Sequence, residues 1–161
     1  MATGLVLISP NAGIAPDSSP ALWKRVVDTN PPNKPVVEYA DADENYDWVL
    51  AIPEWVSGGT LRFFWRVNSA TTNAARYQVQ TTARGDSDAS DVAFVNTDVA
   101  NFANGAATAN IINVDTLALA TVGWSANKLL YLRFSRNGTN AGDTLSGIAV
   151  QLLFAILEYT T

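Results

Sequence analysis

In the segment TLRFFWRVN, residues 60–68, apolar and polar side chains take turns. Leu61, Phe63, Trp65 and Val67 fall on one face of an extended chain, and Arg62, Phe64, Arg66 and Asn68 fall on the other. RYQVQTTAR, residues 76–84, repeats the device, with Tyr77, Val79, Thr81 and Ala83 set against Arg76, Gln78, Gln80, Thr82 and Arg84. A helix cannot bury such a pattern, because its apolar stripe recurs every three or four residues, roughly, rather than every two. The alternation demands pleated strands with one dry and one wet face, and a second layer to keep the dry face dry.

Short runs of this kind, rich in β-branched and aromatic residues and bounded by turn clusters, follow one another from Lys34 onward. Strands are expected at 35–40, 46–52, 60–68, 75–84, 91–95, 107–114, 128–136 and 147–159. About eight antiparallel strands at such spacing predict an all-β fold, a single jelly-roll β-sandwich. In the last strand Val150, Leu152, Phe154 and Ile156 alternate with Gln151, Leu153, Ala155 and Leu157, so both faces read as apolar and covered. The nearest helical candidate after residue 34 is 114–122, where Asp115 could cap a turn of TLALATV.

Six of the seven prolines stand at 10, 16, 20, 31, 32 and 35, which rules out a long helix or a central strand there. Residues 1–33 therefore read as an extended arm, with one helical turn at 21–27 capped by Ser19 and opened by Pro20; residues 34–161 read as the sandwich domain. Leu5, Leu7, Ile8, Leu22 and Trp23 make the arm apolar enough to lie along a neighbouring molecule. No basic region precedes the short apolar run of MATGLVLISP, so no secretory signal is expected, and no run of apolar residues is long enough for a membrane helix.

Histidine and cysteine are both absent, which excludes Ser–His and Cys–His catalysis, thiolate and imidazole metal sites, and disulfides. No cofactor and no metal is expected. The net charge of −5 repels phosphate backbones, so nucleic acid is not an expected partner, nor is a membrane. Only 16% of residues are charged against 48% hydrophobic, which points to a surface partly covered by other copies: a homo-oligomer.

Three stretches hold candidate chemistry. The acids of ADADENYD, Asp41, Asp43, Glu44 and Asp47, with Glu54 beyond a strand, offer carboxylate pairs of the glycosidase kind, but such a cluster more often only solvates its loop. GDSDASD, residues 85–91, is oxygen-rich, yet its spacing does not match a calcium loop and its residues are ordinary turn formers. FSRNGTNAGDTLSGIAV, residues 134–150, has the glycines and Asn that a reversal with positive φ needs, and Arg136 could pair with Asp143 across it. Catalytic residues are therefore not expected. Trp48 and Trp65 fall on core faces; Trp55 and Trp124 have no such place and are candidates for glycan or subunit contact.

WVLAIPEWVSGGTLRFFWRVNSATT, then RYQVQTTARGDSDAS, then LLYLRFSRNGTNAGDTLSGIAVQLLFAILEY, together resemble a pattern of tailed-bacteriophage virion proteins over roughly residues 45–159. The resemblance implies a jelly-roll structural module of the head-decoration, head-fibre or tail-appendage type, often trimeric. By position, Pro53, Gly58, Gly59, Arg136, Asp143, Leu145 and Tyr159 would be architectural. The chain departs from the pattern at Tyr77, where the pattern has Trp, and at Ala75, where it has Gly. The expectation is a non-enzymatic virion protein, attached to the major capsid protein or another virion protein as a homotrimer through its arm, or else an appendage module binding host glycans.

Overall fold

The structure is a computed structural model that describes residues 3–26, 34–52, 57–89, 91, 93–103 and 107–160. Its strands are β1 (Thr3–Ile8), β2 (Leu22–Val26), β3 (Lys34–Tyr39), β4 (Asp43–Ile52) and β5 (Gly58–Val67), followed by β6 (Ala74–Arg84), β7 (Asn96–Ala103), β8 (Asn113–Leu119), β9 (Lys128–Asn137) and β10 (Val150–Thr160). They form two antiparallel sheets. Sheet A runs β2-β3-β10-β5-β8, with β1 also on β10, and sheet B runs β4-β9-β6-β7. The fold is an all-β, jelly-roll-like sandwich.

The alternation sets the core. Leu61, Phe63, Trp65 and Val67 of β5 and Tyr77, Val79 and Thr81 of β6 are fully buried, and they meet between the sheets. Phe63 stands edge-on to both Tyr77 and Phe134, with ring centroids 5.2 and 5.3 Å apart. Each large side chain so buried contributes about 2 kcal/mol. Trp48 is buried too, and its indole N–H donates to the Ser9 carbonyl at 2.9 Å. Asp115 also turns inward, where its carboxylate accepts the Trp65 indole N–H at 2.6 Å.

The last strand keeps its two-sided apolar character, but with a shift of phase. Leu153 is an extra residue between the pairs Leu152↔Trp65 and Phe154↔Phe64, a bulge. Val150 and Leu152 face the core before it, Ala155 and Leu157 after it, and Phe154 and Ile156 are moved to the outer face, where they are half-buried.

The first residues are extended, as their prolines require, but they lie along their own chain. β1 pairs with β10 from Thr3↔Thr160 to Ile8↔Ala155, and β2 pairs with β3. Between them the chain runs beside β4, with hydrogen bonds Ile14 N to Asp47 O (2.7 Å) and Ala21 N to Asn45 O (2.8 Å). The helical turn expected at 21–27 gives way to β2; an isolated turn loses to a ladder of bonds on β3, and Ser19, at φ 49°, is not in a capping conformation.

Two other expectations shift. The strand expected at 91–95 is replaced by β7, whose Asn96–Ala103 lie between the strands expected at 91–95 and 107–114. The strand expected at 107–114 begins only at Asn113, because Asn110 adopts φ 64° and its N–H is drawn to Val67 O; the run read as helical is β8 itself. Among the described residues no helix is long and apolar enough to cross a membrane.

Candidate functional site

The sandwich has two unlike ends. At one, β9 finishes in Arg136, which is fully buried and uses its whole guanidinium. Nε and Nη2 each donate to the Asp143 carboxylate at 2.8 Å, Nη1 to the carbonyls of Ala40 (2.8 Å) and Ile148 (2.6 Å), and Nη2 also to Leu145 O (2.9 Å) and Asp41 (3.3 Å). Asp143 accepts two further bonds, from Arg76 N and Leu145 N, both at 3.1 Å. Burial works to raise its pKa, but the bonds from Arg136, Arg76 and Leu145 and the guanidinium charge prevail and hold the carboxyl below its usual range. The pair anticipated across this reversal is thus formed, as a buried clamp. The positive φ of this loop falls on Gly147 (70°) rather than at Asn137–Gly138.

The acidic cluster belongs to the same end, and its members each have a local partner. Asp41 accepts from Gly147 N, Asp43 from Thr139 N (3.1 Å) and its hydroxyl (2.8 Å), and Glu44 from Ala40 N. Asp47 takes both Arg133 Nε and Nη2 at 2.7 Å. Asp41, Asp43 and Glu44 fasten turns instead of only solvating them, and Asp47 makes a cross-strand pair between β4 and β9. Among the described residues no group of acids converges on a point fit for a metal ion; Glu54 lies outside the described residues.

The opposite end is open. Here the outer face of sheet A carries rows fixed by strand register: Leu5–Glu158–Thr60–Ala118, then Leu7–Ile156–Arg62–Thr116, then Phe154–Phe64–Val114. The first row borders a trough of about 500 Å³ walled by Ser57, Gly58, Thr60, Thr121, Glu158 and Thr160. Gly59, Ala118, Ala120, Leu119 and Tyr159 complete the lining, so the hydroxyls stand beside glycines, alanines and two larger side chains. Arg62 bridges to Glu158 at 2.7 Å at its margin. Down the strands the face turns apolar: Phe64 and Phe154 stack at 4.1 Å, flanked by Leu7 and Val114, 67% and 52% exposed. Among the described residues Glu158 is the one carboxylate that lines the trough.

The residues singled out from sequence divide. Leu5 and Leu7 lie on this face, whereas Ile8 is core; Leu22 and Trp23 are exposed on β2, where the Trp23 indole N–H donates to Asn11 Oδ1 at 3.0 Å. Trp124 is buried behind the trough, its ring against Gly59, and its indole N–H has no partner. Trp55 lies outside the described residues. The segments after β6 and after β9, which hold the 85–91 and 136–143 stretches, leave from opposite ends of that strand pair. The rows through Thr60, Arg62, Phe64 and Phe154 were not anticipated as a site; the sign in the sequence is that Phe64 interrupts the wet side of its strand.

Neither a family model nor a curated protein matches this sequence. Among solved structures, the CBM36-1 domain of a multidomain xylanase from the hindgut metagenome of Trinervitermes trinervoides matches with a TM-score of 0.51, 8% identity and 96% of both chains. The K3 cleaved adhesin domain of Lys-gingipain from Porphyromonas gingivalis matches with a TM-score of 0.51 and 20% identity over 94% of this chain and 97% of that one. An arabinose-bound α-L-arabinofuranosidase also matches, with a TM-score of 0.51 and 10% identity over 95% of this chain but 24% of that one. At such identities the likeness is one of fold: this chain is similar to β-sandwich modules, carbohydrate-binding and adhesin domains among them.

Proposed function

We propose that this protein is a non-enzymatic β-sandwich module that binds glycans on the outer face of sheet A. The observation that carries the reading is the gradation of that face, from a hydroxyl-walled trough to stacked phenyl rings within three cross-strand rows. A sugar offers the complementary pair of surfaces: hydroxyls for Thr60, Arg62 and Glu158, and C–H faces for Phe64, Phe154 and Val114. Few charges and no His or Cys suit recognition of neutral hydroxyls and supply no nucleophile beyond Ser, Thr, Lys and carboxylate. The fold of carbohydrate-binding and adhesin modules supports the same reading.

A glycan array followed by calorimetric titration of the best neutral ligand tests it. Thr60→Val with Phe154→Ala should remove binding while leaving the melting curve near that of the parent; retained binding would place the ligand elsewhere.

A second reading, attachment to a virion lattice as a homo-oligomer, draws on the resemblance of the sequence and on Leu5, Leu7 and Val114, which are 66%, 67% and 52% exposed on one face. Light scattering separates the two: on this reading the protein is an oligomer that Leu7→Glu with Val114→Glu converts to a monomer, whereas a monomeric parent leaves the attachment reading without support.

A further inference from the structure

On the outer side of sheet B, Arg133 closes the Nε/Nη2 edge of its guanidinium on Asp47, as Arg136 does within the clamp on Asp143. Arg84, at the open end of β6, presents the same edge, and its Nε and Nη2 are buried without a hydrogen-bond partner among the described residues. Two residues back on the same face Thr82 is 4% exposed, and its hydroxyl is also buried and unpartnered. Buried N–H and O–H groups left unpaired are costly, and a charged one most of all. Asp88 is close enough to feel the Arg84 charge, but its Oδ2 accepts from Gly85 N at 2.8 Å and faces Lys128 Nζ at 3.9 Å.

The chemistry that completes the edge is specific. Nε–H and Nη2–H are parallel donors at the spacing of the two oxygens of a carboxylate. Thr82 supplies a third donor, and Tyr131 stands opposite Thr82 in the register of β9. The connection from β6 to β7 returns over this face, with Phe94 above the Arg133 guanidinium at 5.0 Å and Val95 N bonded to Thr81 O at 3.1 Å. Phe94 thus covers the face beside Arg133, which pairs with Gln80, one cross-strand row from the Thr82–Tyr131 pair.

We infer that Arg84 and Thr82 bind the carboxylate of an acidic sugar residue, uronic or sialic, at a site on the sheet opposite the neutral trough. The class of ligand rests on the glycan reading above; the site does not.

The test follows the Arg84 Nε–Hε resonance of the intact protein by NMR during titration with oligogalacturonate and with sialyllactose, beside methyl-esterified oligogalacturonate and lactose. At least one acidic glycan should shift the resonance, and its uncharged counterpart should not. Arg84→Gln should weaken binding about tenfold, as loss of one charge-assisted contact implies, and Arg84→Lys less. An unmoved resonance with both acids, or unchanged affinity in Arg84→Gln, overturns the proposal. So does a shift produced by Asp86→Asn or Asp91→Asn alone, which would mean the protein's own carboxylate closes the edge. In Thr60→Val/Phe154→Ala the Arg84 response should persist, so the trough and this site can fail separately. The melting curve of Arg84→Lys checks that the fold survives the loss of the guanidinium.

Discussion

Arg136 and Arg84 lie near opposite ends of the same pair of neighbouring strands, β9 and β6, and the two ends they serve could hardly differ more. Arg136 has every donor matched: two loops and a strand terminus converge on it, and its removal would leave carbonyls and a carboxylate stranded. Arg84 keeps two buried nitrogens unmatched beside an unmatched hydroxyl. The first is an architectural arginine, the second an unfinished one. A saturated polar network rigidifies its end of the fold, whereas the unmatched donors of Arg84 are the ones that the proposed carboxylate would satisfy.

The sharpest way to break the comparison is to cut the clamp. Arg136→Ala or Asp143→Ala should cost about 3 to 5 kcal/mol in urea unfolding, because either leaves a buried charge without its partner. Arg136→Met with Asp143→Leu should cost less than the two single changes added together. A smaller contrast comes from glycines. A Cβ at Gly138, at the clamped end, would meet the backbone of Ala42 at 2.6 Å, whereas at Gly59 it would meet the rim of the Trp124 ring at 3.0 Å. Gly138→Ala should therefore cost about 2 kcal/mol and Gly59→Ala about 1 kcal/mol or less, read by the same unfolding curves.

The smallest effect concerns acid. Asp143 is depressed in the folded state, so its contribution is present above the unfolded carboxylate pKa of about 3.9 and fades as pH falls through the lower folded value. The double variant Arg136→Met/Asp143→Leu should lose that part of the acid unfolding limb; an unchanged limb would assign it to other carboxylates.

The strands with strict alternation were legible because each satisfies its periodicity by itself: β5 and β6 are buried where the pattern puts them. What escaped depends on partners far along the chain. Val114 is apolar but faces solvent, since Asp115 is drawn inward by the Trp65 indole from another strand. The bulge at Leu153 inverts the faces of Phe154 and Ile156, and nothing local in QLLFAI announces it. Asn101 and Phe102 fall outside every strand expected from sequence, but their pairing with Arg76 and Ala75 makes them strand. Arg136 and Asp143 were visible as a pair; that three carbonyls and Asp41 also close on Arg136 was not. The trough is harder still, because its rows take one residue from each of β1, β10, β5 and β8, and only register brings them abreast.

The passage of residues 14–21 beside β4 has a consequence for the behaviour of truncated forms. Those backbone bonds occupy the outer rim of sheet B, which would otherwise present vacant donors and acceptors to any extended peptide. Trimming the first 33 residues would not simply detach a tether. It would strip β1 from one flank of β10, leave β3 without β2, and turn a self-sealed ribbon into a template for aggregation.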